Sequence, residues 1–106
     1  MTEVIWTRAA IDDLNDILSY AAARNAKGAA TLAEKVGAAA KALQTCPRAS
    51  RYIAETNTYE AVVRGVPLLL IYEINSDASG NVRVEILSVF HTSQNPSAKQ
   101  GRRPDG

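Results

Sequence analysis

The chain has little of what reactive sites are commonly built from. Among 106 residues there is one cysteine, Cys46, and one histidine, His91. A single thiol closes no intramolecular disulfide, and one histidine rules out a two-histidine metal site. Cys46 precedes Pro47 with no cation or general base beside it, which marks it as inert. No glycine-rich phosphate loop, Ser-His-Asp set or CxxC pair is present to support the enzyme classes that depend on them. No apolar run approaches the roughly 20 residues needed to span a bilayer. Nothing in the opening residues resembles a signal peptide, since Glu3 and Arg8 bracket only a short apolar run. These absences point to a soluble, cytoplasmic, single-domain protein without metal or cofactor.

An excess of one charge is lacking too. Twelve Lys and Arg stand against eleven Asp and Glu, a formal net charge of +1. The last sixteen residues hold Lys99, Arg102 and Arg103 against Asp105, so residues 1–90 carry 9 basic and 10 acidic groups. A protein that grips RNA or DNA by its phosphates usually shows a clustered basic excess. This body shows none.

What is present is a clear order of elements. "EVIW" at 3–6 is rich in β-formers. Thr7 then offers a hydroxyl to cap a helix that begins near Arg8. In that helix Ile11, Leu14, Leu18 and Ala21 form one apolar stripe. Asp12, Asp13 and Asp16 read as a solvated face favoured by the helix dipole. "RNAKG" at 24–28 interrupts the pattern. A second helix follows, with Ala29, Leu32, Ala33, Val36, Ala40 and Leu43 on one side, and Pro47 ends it. Both helices are alanine-rich, which suits close antiparallel packing as a helical hairpin. "PRASRYIAETN" reads as a polar connector.

Strand signals follow. "YEAVV" leads to a turn at Arg64-Gly65, then "PLLLIYEI", the polar loop "NSDASGN", and "VRVEILSVFH". Gly65 permits the positive φ that a hairpin turn demands, and Pro67 belongs at a strand start or an unpaired position. Trp6 is expected as a core anchor under the hairpin, and Tyr72 as a core residue whose hydroxyl finds a partner at the edge. The expected fold is α+β in the order β-α-α-β-β-β, the hairpin packed on one face of a mostly antiparallel four-stranded sheet. The domain spans 1–96, and 97–106 reads as a flexible tail.

That order, with "TRAAIDDLNDILSYAA", "TYEAVVRGVPLLLIYEI" and "EILSVFHTSQNP", resembles the RelE/ParE superfamily of bacterial type II toxins. The resemblance implies a small growth-arresting toxin of a toxin–antitoxin system, of the kind used in plasmid stabilization, neutralised by a cognate antitoxin. RelE-like members are ribosome-dependent mRNA endonucleases, which need cations on the scissile phosphate. They usually carry an arginine where this chain has Leu69, and some carry a histidine matching His91, followed by a tyrosine where Thr92 stands. ParE-like members instead act on DNA gyrase by protein–protein contact, which needs neither a catalytic set nor a basic surface. Many of those have arginine at the positions of Tyr59 and Glu73, and an aromatic at that of Leu68.

The resemblance therefore implies a ParE-like gyrase inhibitor, with two alternatives: an mRNA endoribonuclease acting on ribosome and mRNA, or a non-toxic member that only binds its antitoxin. Target-binding candidates are Tyr59, Arg64, Arg83 and His91. Arg64, Arg83 and His91 are also the candidates for catalysis if the protein is a nuclease. Antitoxin-binding candidates are Leu14, Leu18, Leu32 and Val36.

Overall fold

The computed structural model describes residues 2–92. Its elements are β1 (Glu3–Trp6), α1 (Arg8–Arg24), α2 (Ala26–Thr45), β2 (Arg51–Ile53), β3 (Thr58–Val62), β4 (Leu68–Ser76) and β5 (Val82–His91). The expected tail lies outside the described residues. Among the described residues, no helix is long and apolar enough to cross a membrane.

The sheet has five strands, not four, in the order β1-β5-β4-β3-β2. The added strand is cut from the supposed connector. Arg51 pairs with Glu60, Tyr52 with Tyr59 and Ile53 with Thr58, antiparallel. A turn through Ala54 and Asn57 makes this possible, because Asn57 takes the left-handed conformation at φ 56°, which asparagine tolerates better than most residues. The Tyr52 hydroxyl donates to Asn57 Oδ1 at 2.8 Å and ties the turn to the strand. Three residues are too few to show a period, so the strand was hidden in composition.

The break between the helices is narrower than "RNAKG" suggested. Asn25 alone makes it, with extended backbone. Its N–H donates to the Ala21 carbonyl at 2.8 Å, closing α1. Its side-chain oxygen accepts from the Lys27 and Gly28 amides at 3.0 and 3.2 Å, opening α2. One residue thus ends one helix with its backbone amide and caps the next with its side chain.

Alternation sorts the sheet into two faces. Val4, Trp6, Tyr59, Ala61, Leu68, Leu70, Tyr72, Ile74, Val84, Ile86 and Val89 pack into the core beneath the hairpin, joined by Ala10, Val36, Ala40 and Leu43 from the helices. Tyr72 is fully buried and its hydroxyl donates to the Pro47 carbonyl at 2.7 Å, as expected of a core tyrosine. Burial pushes its phenol above the ordinary value.

β1 runs parallel to β5, with Trp6 opposite Ile86. Just beyond, β5 carries an irregularity: Tyr72 faces Ile86 and Ile71 faces Ser88, leaving Leu87 without a partner, a β-bulge. Here α1 takes over from β1 as the neighbour of β5. The Thr7 amide donates to the Ile86 carbonyl at 3.1 Å, and its hydroxyl donates to the same oxygen at 2.7 Å. That hydroxyl also accepts from the Ala10 amide at 3.2 Å as the N-cap. Farther along, Asp13 accepts the Val89 amide at 3.0 Å. Asp13 is therefore no solvated-face residue; Asp12 is, pairing with Arg8 on the exposed side at 3.1 Å.

Two substitutions test this junction by urea unfolding. Thr7→Ala should lower stability by about 1–2 kcal/mol while Thr7→Ser keeps most of it. Asp13→Ala should cost about 1–3 kcal/mol by stranding a strand amide. Wild-type midpoints in both alanine variants would show that the junction holds nothing.

Candidate target-binding site

The positions singled out in the sequence fall at separate places. Arg64 and Gly65 form the turn after β3, with Gly65 at φ +84°. The Lys35 side chain of α2 lies over this turn, its Cε and Nζ 3.6 Å from where a Gly65 Cβ would stand. His91 sits opposite Leu68 at the start of β4, so it shares this end of the sheet with Arg64. The Thr92 amide donates to the Pro67 carbonyl at 2.8 Å and closes the corner. Pro67 lies just outside β4, where its missing N–H costs the ladder nothing.

Arg83 stands elsewhere. It faces Glu3 on one side and Asn75 on the other, and its Nε donates to Glu85 Oε2 at 3.1 Å. Eight residues of β5 separate it from His91, roughly 25 Å at a strand's rise. Strand alternation and the bulge also place them on different faces: Arg83 in the row of Asn75, His91 in the row of core residue Leu68. Arg64, Arg83 and His91 do not converge. Leu69, where the resemblance implies an arginine in nucleases, is 2 % exposed. It lies between Val62 and Phe90 in one cross-strand row on the helix-free face.

Lys35 was missed because its spacing reads as ordinary helix surface, and only the packing of α2 against the turn brings it to Arg64. Tyr59 is half-buried in a row of three tyrosines. Its ring stacks on Tyr72 at 5.4 Å between centroids and meets Tyr52 at 5.1 Å in a tilted contact. Tyr52, 49 % exposed, ends the row at the sheet edge.

Of the antitoxin candidates, Leu14 and Leu32 are partly buried against the core, and Leu18 is partly buried on the same helix as Leu14. Val36 is 1 % exposed and belongs to the core itself. It holds the hairpin to the sheet and presents no surface. Ile11, by contrast, is 42 % exposed on α1. No group of three potential metal-ligating side chains exists among the described residues.

At the other end of the sheet, Glu3, Asp77, Asn81, Val82 and Arg83 line a depression. Its loop is organised by Asp77, whose carboxylate accepts the Ser79 and Asn81 amides, both at 2.9 Å, and the Asn81 side chain at 3.2 Å. These bonds, the Asn81 amide foremost, hold the Asp77 carboxyl below the ordinary value.

With the geometry in view, comparison with known proteins decides the family. Residues 4–96 match the family described as "ParE toxin of type II toxin-antitoxin system, parDE". The chain is a member of the ParE toxin family. It is 32 % identical over 89 residues to "Putative toxin Y4kP" of Sinorhizobium fredii (strain NBRC 101917 / NGR234), covering 84 % of this chain and 86 % of that protein. Its fold resembles a solved chain titled "Chromosomal ParDE TA system from P. aeruginosa", with TM-score 0.73 and 18 % identity over 86 % of this chain and 96 % of the other. Membership in this family implies an antitoxin partner.

Acid should loosen the β4–β5 loop of this ParE-family chain. Because Asp77 is more acidic folded than unfolded, its contribution is complete above the unfolded carboxylate pKa of about 3.9. It fades as pH falls below that and is gone beneath the folded value. Amide exchange at Ser79 and Asn81, after correction for intrinsic rates, should accelerate across that window. An unchanged profile in Asp77→Ala would show that another group sets the acid response.

Proposed function

We propose that this toxin arrests growth by docking on DNA gyrase, and that a cognate antitoxin neutralises it. One observation carries the reading: the three candidate residues for phosphate cleavage are split between the two ends of the sheet, with a buried leucine at the position where the resemblance implies an arginine. Cleavage needs donors aimed at one developing charge. Docking needs only complementary surface. Residues 1–90, with 9 basic and 10 acidic groups, suit a protein target better than a polyanion.

The contact region on this reading is the sheet end that joins Arg64, Lys35 and His91, with Tyr59 five residues back on the strand leading into the turn. The antitoxin lays an amphipathic helix along the hairpin over Leu14, Leu18 and Leu32. Val36 supports that surface from within.

Purified gyrase in a supercoiling assay tests the target. The toxin should block supercoiling or trap cleaved DNA, and Arg64→Ala should weaken the effect. Normal supercoiling with no trapped cleavage, at toxin well above gyrase, would remove gyrase as the target. In a translating extract the mRNA should stay intact. Cuts at the ribosomal A site that vanish in Arg83→Ala/His91→Ala would establish the nuclease alternative instead, and absence of growth arrest on strong induction would leave only antitoxin binding.

A further inference from the structure

The sheet face turned away from the hairpin has its own chemistry. The registers place Arg51, Glu60, Ile71 and Ser88 in one row across it. Val62, Leu69 and Phe90 form a second, Glu73, Glu85 and Ile5 a third, and Asn75, Arg83 and Glu3 a fourth. None of the helices in the described residues packs here, since α1 and α2 contribute to the core on the other face. The row at one end is apolar: its edge residue Val62 is 67 % exposed, Phe90 is partly buried, and Leu69 between them is 2 % exposed, so Val62, Phe90 and the neighbouring Ile71 are what it offers a partner. The rows at the other end are acidic. There Glu3, Glu73 and Glu85 face one guanidinium, Arg83, which is already taken by Glu85 at 3.1 Å; in the row between, Arg51 is taken by the buried Glu60 at 3.2 Å.

Glu73 directly opposite Glu85 is the unusual feature. Like charges facing each other across strands destabilise a sheet. Arg83 bonds Glu85, while among the described residues Glu73 receives the neutral Asn75 amide at 3.2 Å. A cation placed over this pair would relieve the repulsion.

We infer that this face is a docking surface for a basic amphipathic helix of a partner protein, with apolar side chains on Val62, Ile71 and Phe90 and a Lys or Arg over Glu73 and Glu85. The inference rests on the reading that the protein acts by contact. Spacing fixes the partner's pattern. Leu69 and Glu73 are four residues apart on β4, about 13 Å at a strand's rise. A helix rising about 1.5 Å per residue covers that in roughly nine residues, so the cation should stand two to three turns from the apolar anchor. Charge complementarity selects a basic segment and turns acidic ones away.

The test uses the full chain and a fluorescein-labelled alanine-based helical peptide. It carries Leu and Phe one turn apart and two lysines nine residues on, and its control has glutamates for the lysines. Anisotropy titration should show the basic peptide binding and the acidic control failing. Glu73→Lys/Glu85→Lys should weaken the basic peptide by roughly tenfold or more and admit the acidic one. Val62→Lys, at an exposed position where folding is not at stake, should weaken the basic peptide, and added to Glu73→Lys/Glu85→Lys it should weaken the acidic peptide which that variant admits. Equal binding of the two peptides, or indifference to these substitutions, would overturn the inference. So would basic-peptide binding seen only after removal of residues 93–106, which carry Lys99, Arg102 and Arg103 and would then be the occupant. The supercoiling assay needs no peptide, so its outcome and this one are separable.

Discussion

β5 changes neighbours halfway along its length, and the protein's architecture follows from how that exchange is made. Up to Ile86 its outer edge is paired with β1. Past Ile86 no strand among the described residues takes its place, and unmet backbone groups at a buried junction would cost about as much as lost hydrogen bonds. Helix α1 supplies the partners instead. Thr7 serves the Ile86 carbonyl while capping α1, and Asp13 takes the Val89 amide two turns later. The bulge at Leu87 bends β5 where the two kinds of partner meet. With α1 pinned at both points, α2 follows through the single-residue break at Asn25. Val36, Ala40 and Leu43 then close over the sheet. The corner that brings Lys35 to the Arg64 turn is a remote consequence of that grip.

The strands with strong β-formers and the two helices were legible because each carries its own period or cap. β1 and β5 appear with the limits their sequences suggest, and Thr7 caps as its position implies. β2 was not legible, since three residues cannot display alternation. The asparagine preceding Thr58 was its one local signal, a residue suited to the left-handed turn that makes the hairpin. Asp13 escaped for a different reason. Nothing local distinguishes it from Asp12, and only a strand amide supplied from 76 residues away makes one a structural bond and leaves the other in water.

The candidate site divides in the same way. Residue types can be read from sequence, but convergence is a tertiary property. Arg64, Arg83 and His91 qualify as nuclease groups by type. Their positions, one at a turn and two at opposite ends of a ten-residue strand, deny them a common phosphate. Leu69 is informative in both descriptions: as a sequence it withholds a guanidinium, and as a structure it fills the space with packed hydrocarbon.

Among the described residues the two helices cover one face of the sheet, and what the other face carries bears on function. The helix-free face keeps an apolar row and an acidic pair, and like charges facing each other across strands cost the sheet some stability. At the sheet edge, Tyr52 continues the tyrosine row into solvent, adding aromatic surface where the two faces meet. For a protein whose task is catalysis on RNA, an acidic pair on this face would work against holding a phosphate there. For one that works through protein contacts, the same features are unspent complementarity: apolar area to bury and charge to satisfy, both realised only when a partner arrives.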